Sequence, residues 1–94
     1  MNPATLVYLE DKKVLPDKPG VYSVLNRCGQ VLYVGQAQSL NKRFAKHGRG
    51  IDFCTNGASK IAYAVIEDPG ERTQREIDAI QKYQPPLNQQ HRSK

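Results

Sequence analysis

Apolar and polar residues alternate in a way that predicts three β-strands. The runs Val21–Leu25 and Val31–Val34 are rich in β-branched and aromatic residues, and Gly29 between them supplies the positive φ of a tight hairpin turn. A third apolar run over 60–66 predicts a strand that is central in the sheet and well buried.

The pairing register of this hairpin decides where its two tyrosines lie. A loop of two or of four residues pairs Val24 with Tyr33 and Tyr22 with Gly35. Alternation then places both tyrosines on one face as diagonal neighbours, whereas a three-residue loop would separate them. We therefore expect the two tyrosine hydroxyls on the same side of the sheet.

Helical spacing predicts a first helix over residues 39–47. Ser39 is expected to be its N-cap, because its hydroxyl can accept a hydrogen bond from the first turn. Leu40 and Phe44, four residues apart, form the apolar stripe of this helix. Gly48 is expected to end it.

A second helix is predicted after Asp68. That aspartate is expected to be the N-cap, and Pro69 takes the first helical position, where a missing N–H costs nothing. The helix should run to about Tyr83, because two prolines follow it. Its stripe at helical spacing consists of Thr73, Ile77, Ile80 and Gln84.

The order of these elements is β-β-α-β-α and predicts an α/β fold. We expect a small, mainly antiparallel three-stranded sheet flanked by helices. The 94 residues are the length of one domain. Residues 20–90 are assigned to that domain and residues 1–19 to an N-terminal extension, in which residues 6–9 either form a short strand or pack as an anchor.

The distribution of charge favours an anionic partner. The formal net charge is +5 and the sequence pI is about 9.4. No Asp or Glu occurs from Pro19 through Ile51. A locally positive region of this kind is typical of a surface that binds nucleic acid or an acidic membrane. Its basic residues are Arg27, Lys42, Arg43, Lys46 and Arg49.

The cysteines and the N-terminal pattern favour a reduced, cytoplasmic setting. Cys28 and Cys54 form no CxxC pair and have no histidine at zinc spacing, while a disulfide between them stays open. No basic segment precedes the short apolar run near the N-terminus, so we expect neither a signal peptide nor a membrane span.

A carboxylate beside an apolar stripe needs an explanation, and Glu76 occupies such a position on the second helix. One alternative is a structural ion pair with Arg72, four residues earlier, or with Lys60 on the neighbouring strand. The other is a hard divalent cation that Glu76 holds together with waters and phosphate oxygens. The residues alone leave both alternatives open.

An ordered set of motifs extends from Gly20 to Asn88 and covers about three quarters of the chain. This set resembles the GIY-YIG endonuclease superfamily, in particular the N-terminal nuclease domain of the bacterial excision-repair incision subunit and small stand-alone members. The glycines of the two sheet motifs are explained by turns. The set consists of Gly20-Val21-Tyr22, Tyr33-Val34-Gly35, Arg43 with His47, Glu76, and Asn88 after Pro85-Pro86-Leu87.

The resemblance implies how three of these residues act on a phosphodiester. Tyr33 is the candidate general base beside the attacking water, and Tyr22 helps to position the water and the phosphate. Arg43 would stabilise the charge that builds on the scissile phosphate. A phenol has a pKa of about 10, so Tyr33 can act as a base only if its proton is relayed or its pKa falls.

The resemblance also implies supporting roles and a cofactor. Glu76 would be the single protein ligand of one Mg²⁺ or Mn²⁺ ion. His47 would support the water or the phosphate, and Asn88 would brace the site by hydrogen bonds. The implied activity is a metal-dependent DNA endonuclease that nicks DNA, is structure-directed, acts in repair or recombination, and leaves a 5′-phosphate and a 3′-hydroxyl.

One residue departs from the pattern of the excision-repair relatives. Gln36 follows Gly35, where those relatives carry Lys, so one cation near the phosphate is missing. With no second domain in the chain, we expect a protein partner to supply target recognition, and two alternatives stay open: a non-catalytic nucleic-acid-binding module and an interaction subunit of a repair complex. The predicted DNA-binding residues are Gln36, Lys42, Arg43, Lys46 and Arg49.

Overall fold

A four-stranded antiparallel sheet forms the centre of the protein, whose computed structural model describes residues 5–45 and 57–89. The strands are β1 (Thr5–Tyr8), β2 (Gly20–Asn26), β3 (Val31–Ala37) and β4 (Ala58–Val65). They lie side by side in the order β1-β4-β2-β3, so β1 and β3 are the two edges.

The predicted α/β class and antiparallel pairing are confirmed, but the predicted number of strands was wrong. The additional strand is β1, which comes from the N-terminal extension and pairs with β4, from Thr5 opposite Tyr63 to Tyr8 opposite Lys60. Four residues give too short a pattern to identify a strand, and this one is stabilised by a partner that is distant in sequence. The strand β4 is central as predicted, and its Ile61 is fully buried.

Helices flank the sheet in the described parts of the chain. They are a 3₁₀ helix (Leu9–Val14), α1 (Leu40–Ala45), α2 (Pro69–Tyr83) and α3 (Pro86–Gln89). None of the helices within residues 5–45 and 57–89 has the length and apolar character needed to cross a membrane. The domain boundary at residue 20 stays a prediction.

The β2–β3 hairpin reaches the predicted register by an unexpected route. Leu25 pairs with Val31 next to the turn, which is the register of a three-residue loop. A one-residue irregularity between Val24 and Leu25 then shifts the pairing, so that Val24 lies opposite Tyr33. The bulge thus restores the register that places both tyrosines on one face. Gly29 has a φ of 89° in the turn, as predicted.

The first helix begins as its sequence predicts and covers the core. The Ser39 hydroxyl accepts a hydrogen bond from the backbone N–H of Lys42 at 3.2 Å and donates one to Asp17 at 2.6 Å. Leu40 and Phe44 are fully buried. Residues 46–47 and the predicted stop at Gly48 lie outside the described residues. The core cluster comprises Leu15, Tyr22, Val24, Leu32, Leu40, Phe44, Ile61 and Leu87.

The second helix has the predicted ends but not the predicted buried side. Asp68 accepts a hydrogen bond from the Glu71 N–H at 2.7 Å, and the helix ends at Tyr83. In the stripe read from sequence, however, Ile77 is 42% exposed, while Arg72 is buried at 8% exposure. The side that contacts the sheet is therefore rotated by about one residue, because polar groups of α2 hydrogen-bond to the sheet and fix its orientation.

Candidate functional site

The two motif tyrosines pack side by side on one face of the sheet. Their ring centroids are 6.1 Å apart, which confirms the predicted shared face. Tyr22 is 1% exposed and packs edge-on against Phe44 of α1 at 4.8 Å, whereas Tyr33 is half-buried. The aromatic cluster therefore joins the hairpin to the first helix and leaves the second tyrosine nearer to solvent.

The motif glycines allow close approach of atoms from neighbouring elements, and they do not form turns. Gly35 lies opposite Tyr22, and a Cβ at this position would stand 2.6 Å from the Tyr22 hydroxyl oxygen. At Gly20 a Cβ would overlap the carbonyl oxygen of Ala64 and stand 2.9 Å from Leu40. Both glycines lie within strands, so the turn explanation was wrong for them. The Tyr22 ring lies across Gly35, which places its hydroxyl over the edge strand β3.

Arg43 is hydrogen-bonded to the Tyr22 hydroxyl. Its Nε donates a hydrogen bond of 3.1 Å to Tyr22, while the residue as a whole is exposed. Burial raises the pKa of the Tyr22 phenol to about 12, although the hydrogen bond from Arg43 acts in the opposite direction. The hydrogen bond to Tyr22 in turn raises the pKa of Arg43, with a smaller contribution from Tyr33. Tyr22 therefore stays protonated at neutral pH and orients the guanidinium.

The raised pKa of Tyr22 predicts a loss of stability in alkaline solution. A phenol titrates near pH 10 in the unfolded chain and near pH 12 here, so its contribution is complete below about pH 10 and disappears as the pH rises through about 12. Two pKa units correspond to roughly 2–3 kcal/mol of unfolding free energy. Urea unfolding from about pH 8 to about pH 12 should show this loss in the wild type and in Tyr8→Phe, whose phenol is exposed. Tyr22→Phe should lose less, and parallel curves for all three proteins would contradict the assignment.

Glu76 approaches the same strand from α2. Its Oε1 accepts a hydrogen bond of 2.8 Å from the Gln36 amide, and the same amide nitrogen lies 3.3 Å from the Thr73 hydroxyl. The Glu76 charge also raises the pKa of Tyr22, as the smallest of its causes. Strand β3 thus lies between the aromatic cluster and the carboxylate.

The ion pair considered for Glu76 is absent from the part of the chain that the structure describes. Arg72 instead donates hydrogen bonds to the backbone carbonyls of Ile66 at 3.3 Å and Glu67 at 3.4 Å. The ion pair recorded within the described ranges joins Arg75 to Glu71. Arg72 thus links the start of α2 to the segment that follows β4, and this structural contact replaces the ion pair that had been one of the two alternatives for Glu76.

Asn88 closes the free edge of β3. Its side-chain oxygen accepts a hydrogen bond of 2.7 Å from the Val34 N–H, and its amide nitrogen donates one of 2.9 Å to the Val34 carbonyl. The side chain therefore satisfies the two backbone groups that a further strand would pair. This contact fixes the strand between the two motif residues Tyr33 and Gly35.

A surface groove of about 600 Å³ adjoins Arg43. Asp17 lines it and accepts a hydrogen bond from the Ser39 hydroxyl, a contact between residues 22 positions apart that no local sequence pattern indicates. The groove is lined by Asp17, Gln36, Ala37, Gln38, Ser39, Lys42 and Arg43.

Cys28 is free and exposed. The remaining predicted positions lie outside the described residues: Lys46, His47, Arg49 and Cys54.

The donor chemistry at Glu76 fits a hard divalent cation. A carboxylate offers about four lone-pair positions, and the recorded hydrogen bond from Gln36 uses one of them. Glu76 is half-buried and its hydrogen-bond donor is a neutral amide, so its negative charge is not compensated by that donor. Oxygen ligands of this kind suit Mg²⁺ and Mn²⁺, which complete their coordination with water and phosphate oxygens.

Comparison with protein families gives a match that spans most of the chain. The family described as the UvrC-like GIY-YIG domain matches residues 18–89. The UvrABC system protein C of Clostridium kluyveri is 37% identical over 83 residues, which cover 81% of this chain. That of Tropheryma whipplei is 32% identical over 80 residues, which cover 79%. The chain spans 13% of the length of each of these relatives.

Solved structures agree with the fold. The GIY-YIG N-terminal endonuclease domain of UvrC from Thermotoga maritima, bound to its catalytic magnesium, superposes with a TM-score of 0.70 at 25% identity. The superposition covers 82% of this chain and 90% of that one. A point mutant of the same domain, bound to the catalytic divalent cation, also gives a TM-score of 0.70, at 23% identity.

Proposed function

Because the chain belongs to the UvrC-like GIY-YIG family, we propose that it is a metal-dependent DNA endonuclease that nicks DNA at structural irregularities during repair or recombination. The observation that carries this proposal is the approach of Arg43 and Glu76 to strand β3 from its two sides. Arg43 is tied to Tyr22, whose hydroxyl lies over Gly35, and Glu76 is tied to the next residue, Gln36. A cationic fork and an uncompensated carboxylate thus flank one edge of the sheet, as phosphate binding and metal binding require.

Arg43 is the residue that binds the scissile phosphate. Its Nε donates to Tyr22 and its guanidinium also interacts with Tyr33, so both tyrosines set the orientation in which its planar group of N–H donors would meet the phosphate oxygens. This orientation allows Arg43 to stabilise the charge that develops in the transition state, and it costs no rearrangement during the reaction. Tyr22 acts through Arg43, because its own hydroxyl is buried and stays protonated.

Tyr33 is the candidate relay that receives the proton of the attacking water as it passes its own hydroxyl proton on to solvent. The water oxygen forms a bond to phosphorus, the bond from phosphorus to the 3′ oxygen breaks, and that oxygen takes up a proton to leave a 3′-hydroxyl and a 5′-phosphate. A divalent cation held by Glu76 would supply Lewis-acid stabilisation of the phosphate. Asn88 keeps β3 in place beneath Tyr33 by its two hydrogen bonds to Val34.

The relatives are subunits of the UvrABC system, and the chain covers only a small part of each. We therefore propose that target choice in DNA depends on a protein partner or on further sequence elements. A cytoplasmic location stays a prediction. Leu6 and Tyr8 are more than half exposed on β1, at the sheet edge opposite to β3, so a protein contact there would leave the proposed site free.

A nicking assay tests the proposal. Supercoiled plasmid and a panel of branched and flapped duplexes are incubated with the protein, with Mg²⁺ or Mn²⁺ and with EDTA. We expect conversion of plasmid to the nicked circle only with a cation, because without one the Glu76 carboxylate only adds negative charge beside the phosphate and nothing there acts as a Lewis acid. Binding of branched DNA with no strand cut under either cation would favour the non-catalytic module. Failure to bind or cut any DNA would favour the interaction subunit.

A further inference from the structure

Gln36 has its amide nitrogen engaged within the protein. Its Nε2 lies 2.8 Å from Glu76 Oε1 and 3.3 Å from Thr73 Oγ1, two residues that lie one turn apart on α2. An ionised carboxylate only accepts hydrogen bonds, so the nitrogen of the amide must face Glu76. The two N–H groups of the amide are then directed to these two acceptors.

This arrangement disagrees with a direct contact between Gln36 and the DNA backbone. With both N–H groups occupied, the group that remains is the amide carbonyl oxygen, which is an acceptor and repels a phosphate. Gln36 also lines the groove beside Lys42 and Arg43, so it stands between the cationic residues and the carboxylate. Its position is that of a support for Glu76.

We propose that Gln36 is a positioning residue that holds the Glu76 carboxylate in its cation-binding orientation, an inference that rests on the proposed function. Glutamate has several rotatable bonds, and a single ligand with free rotation loses conformational entropy when it binds a cation. The hydrogen bond from Gln36 already restricts the Glu76 side chain before a cation binds, so less conformational entropy is lost on binding. Because the donor is neutral, it orients the carboxylate without neutralising the charge that attracts the cation.

The positions of Gln36 on the edge strand β3 and of Thr73 on α2 determine how the Gln36 amide is oriented. Gln36 pairs with Val21 in the sheet, and alternation directs its side chain to the face opposite to Tyr22. The Thr73 hydroxyl accepts a second hydrogen bond from the Gln36 amide nitrogen, and this bond restricts rotation of the amide plane. A lysine here would keep a donor beside Glu76 but add a positive charge that competes with the cation.

Direct titration of the metal-binding site tests the inference. Mn²⁺ is titrated into the whole chain without DNA, by calorimetry or by the loss of free Mn²⁺ signal in paramagnetic resonance. Gln36→Met keeps the side-chain volume and removes the donor, and we expect about a tenfold loss of Mn²⁺ affinity with little change in melting temperature. Gln36→Lys should also bind Mn²⁺ more weakly than the wild type. Gln38→Met, two residues along the same groove, should bind as the wild type does.

Nicking kinetics provide a second readout. For Gln36→Met the Mn²⁺ concentration at half-maximal rate should rise by a similar factor, while the rate at saturating Mn²⁺ changes little. Unchanged Mn²⁺ affinity in Gln36→Met, together with weaker metal-free DNA binding, would overturn the inference and make Gln36 a DNA contact. Tighter Mn²⁺ binding in Gln36→Lys would overturn the neutral-donor argument. If Gln36→Met does not fold, Thr73→Val loosens the same amide and should lower the affinity, and wild-type affinity in it would count against the inference.

The failure of the proposed function gives a different pattern. If the wild type binds no Mn²⁺, or if Glu76→Gln binds it equally well, the cation site itself is wrong. If the wild type binds Mn²⁺ through Glu76 and only the Gln36 variants are unaffected, the function stands and the positioning role does not.

Discussion

Glu76→Gln is expected to lower the rate of DNA nicking by about a thousandfold. The substitution keeps the volume and the hydrogen-bonding capacity of the side chain but removes the charge that a hard cation needs. Metal stabilisation of a transition state is worth several kcal/mol, and about 1.4 kcal/mol corresponds to a tenfold change in rate. The measurement is the single-turnover rate of plasmid nicking at saturating Mn²⁺.

Stability and DNA binding separate this role from a structural one. Within residues 5–45 and 57–89, Glu76 forms no ion pair, so the melting temperature should change little. DNA affinity without metal should stay the same or increase, because a negative charge near the phosphate has gone. Glu71→Gln is the matched control: it removes one charge from the same helix, in a weak exposed pair with Arg75, and should leave nicking unchanged. A Glu76→Gln variant that melts well below the wild type yet nicks normally would mean withdrawing the metal assignment.

Arg43→Lys is expected to lower the nicking rate by about 100- to 1000-fold while DNA affinity changes little. Lysine keeps the positive charge, but its single ammonium group cannot bind Tyr22 and a phosphate simultaneously. The guanidinium can, because its N–H groups point in different directions. Loss of one oriented donor to a developing oxyanion typically has an effect of about this size. Single-turnover nicking and filter-binding titrations of the same duplex measure the two quantities.

The neighbouring lysine provides the control for Arg43. Lys42 is exposed on the same helix and lines the same groove. Lys42→Ala should weaken DNA binding and flatten its dependence on salt, because fewer counterions are released, yet leave the saturated rate near that of the wild type. The Arg43→Lys protein should lose only about 1 kcal/mol of stability, from the hydrogen bond to Tyr22. If Arg43→Lys nicks within about threefold of the wild type, the guanidinium fork is not required and charge alone is sufficient.

Features that depend on neighbouring residues could be predicted from the sequence. Ser39 and Asp68 cap the helices as expected, because a cap is a contact between residues three apart. The order of the elements and the shared face of Tyr22 and Tyr33 were likewise predicted. The register prediction succeeded for an incomplete reason, since a three-residue turn and a bulge together give the pairing that was expected from a simpler loop.

The spacing of the motif glycines could not reveal their role, because that role depends on contacts with other strands and helices. Gly20 leaves room for Ala64 and Leu40, and Gly35 leaves room for the Tyr22 ring. Neither contact follows from local backbone preference. A sequence pattern identifies a glycine but not the neighbouring atoms that fill the space where a Cβ would lie.

Local interactions along the chain are sufficient to set the helices and strands, their caps and the order of the motif residues. The tertiary structure decided which side of α2 meets the sheet, that Gln36 donates to Glu76, and that Asn88 covers Val34. These contacts join residues 40 and 54 positions apart. The physical reason is that periodicity and capping arise from interactions within a turn or a strand pair, whereas the orientation of a helix on a sheet depends on hydrogen bonds and packing that form only when distant segments meet.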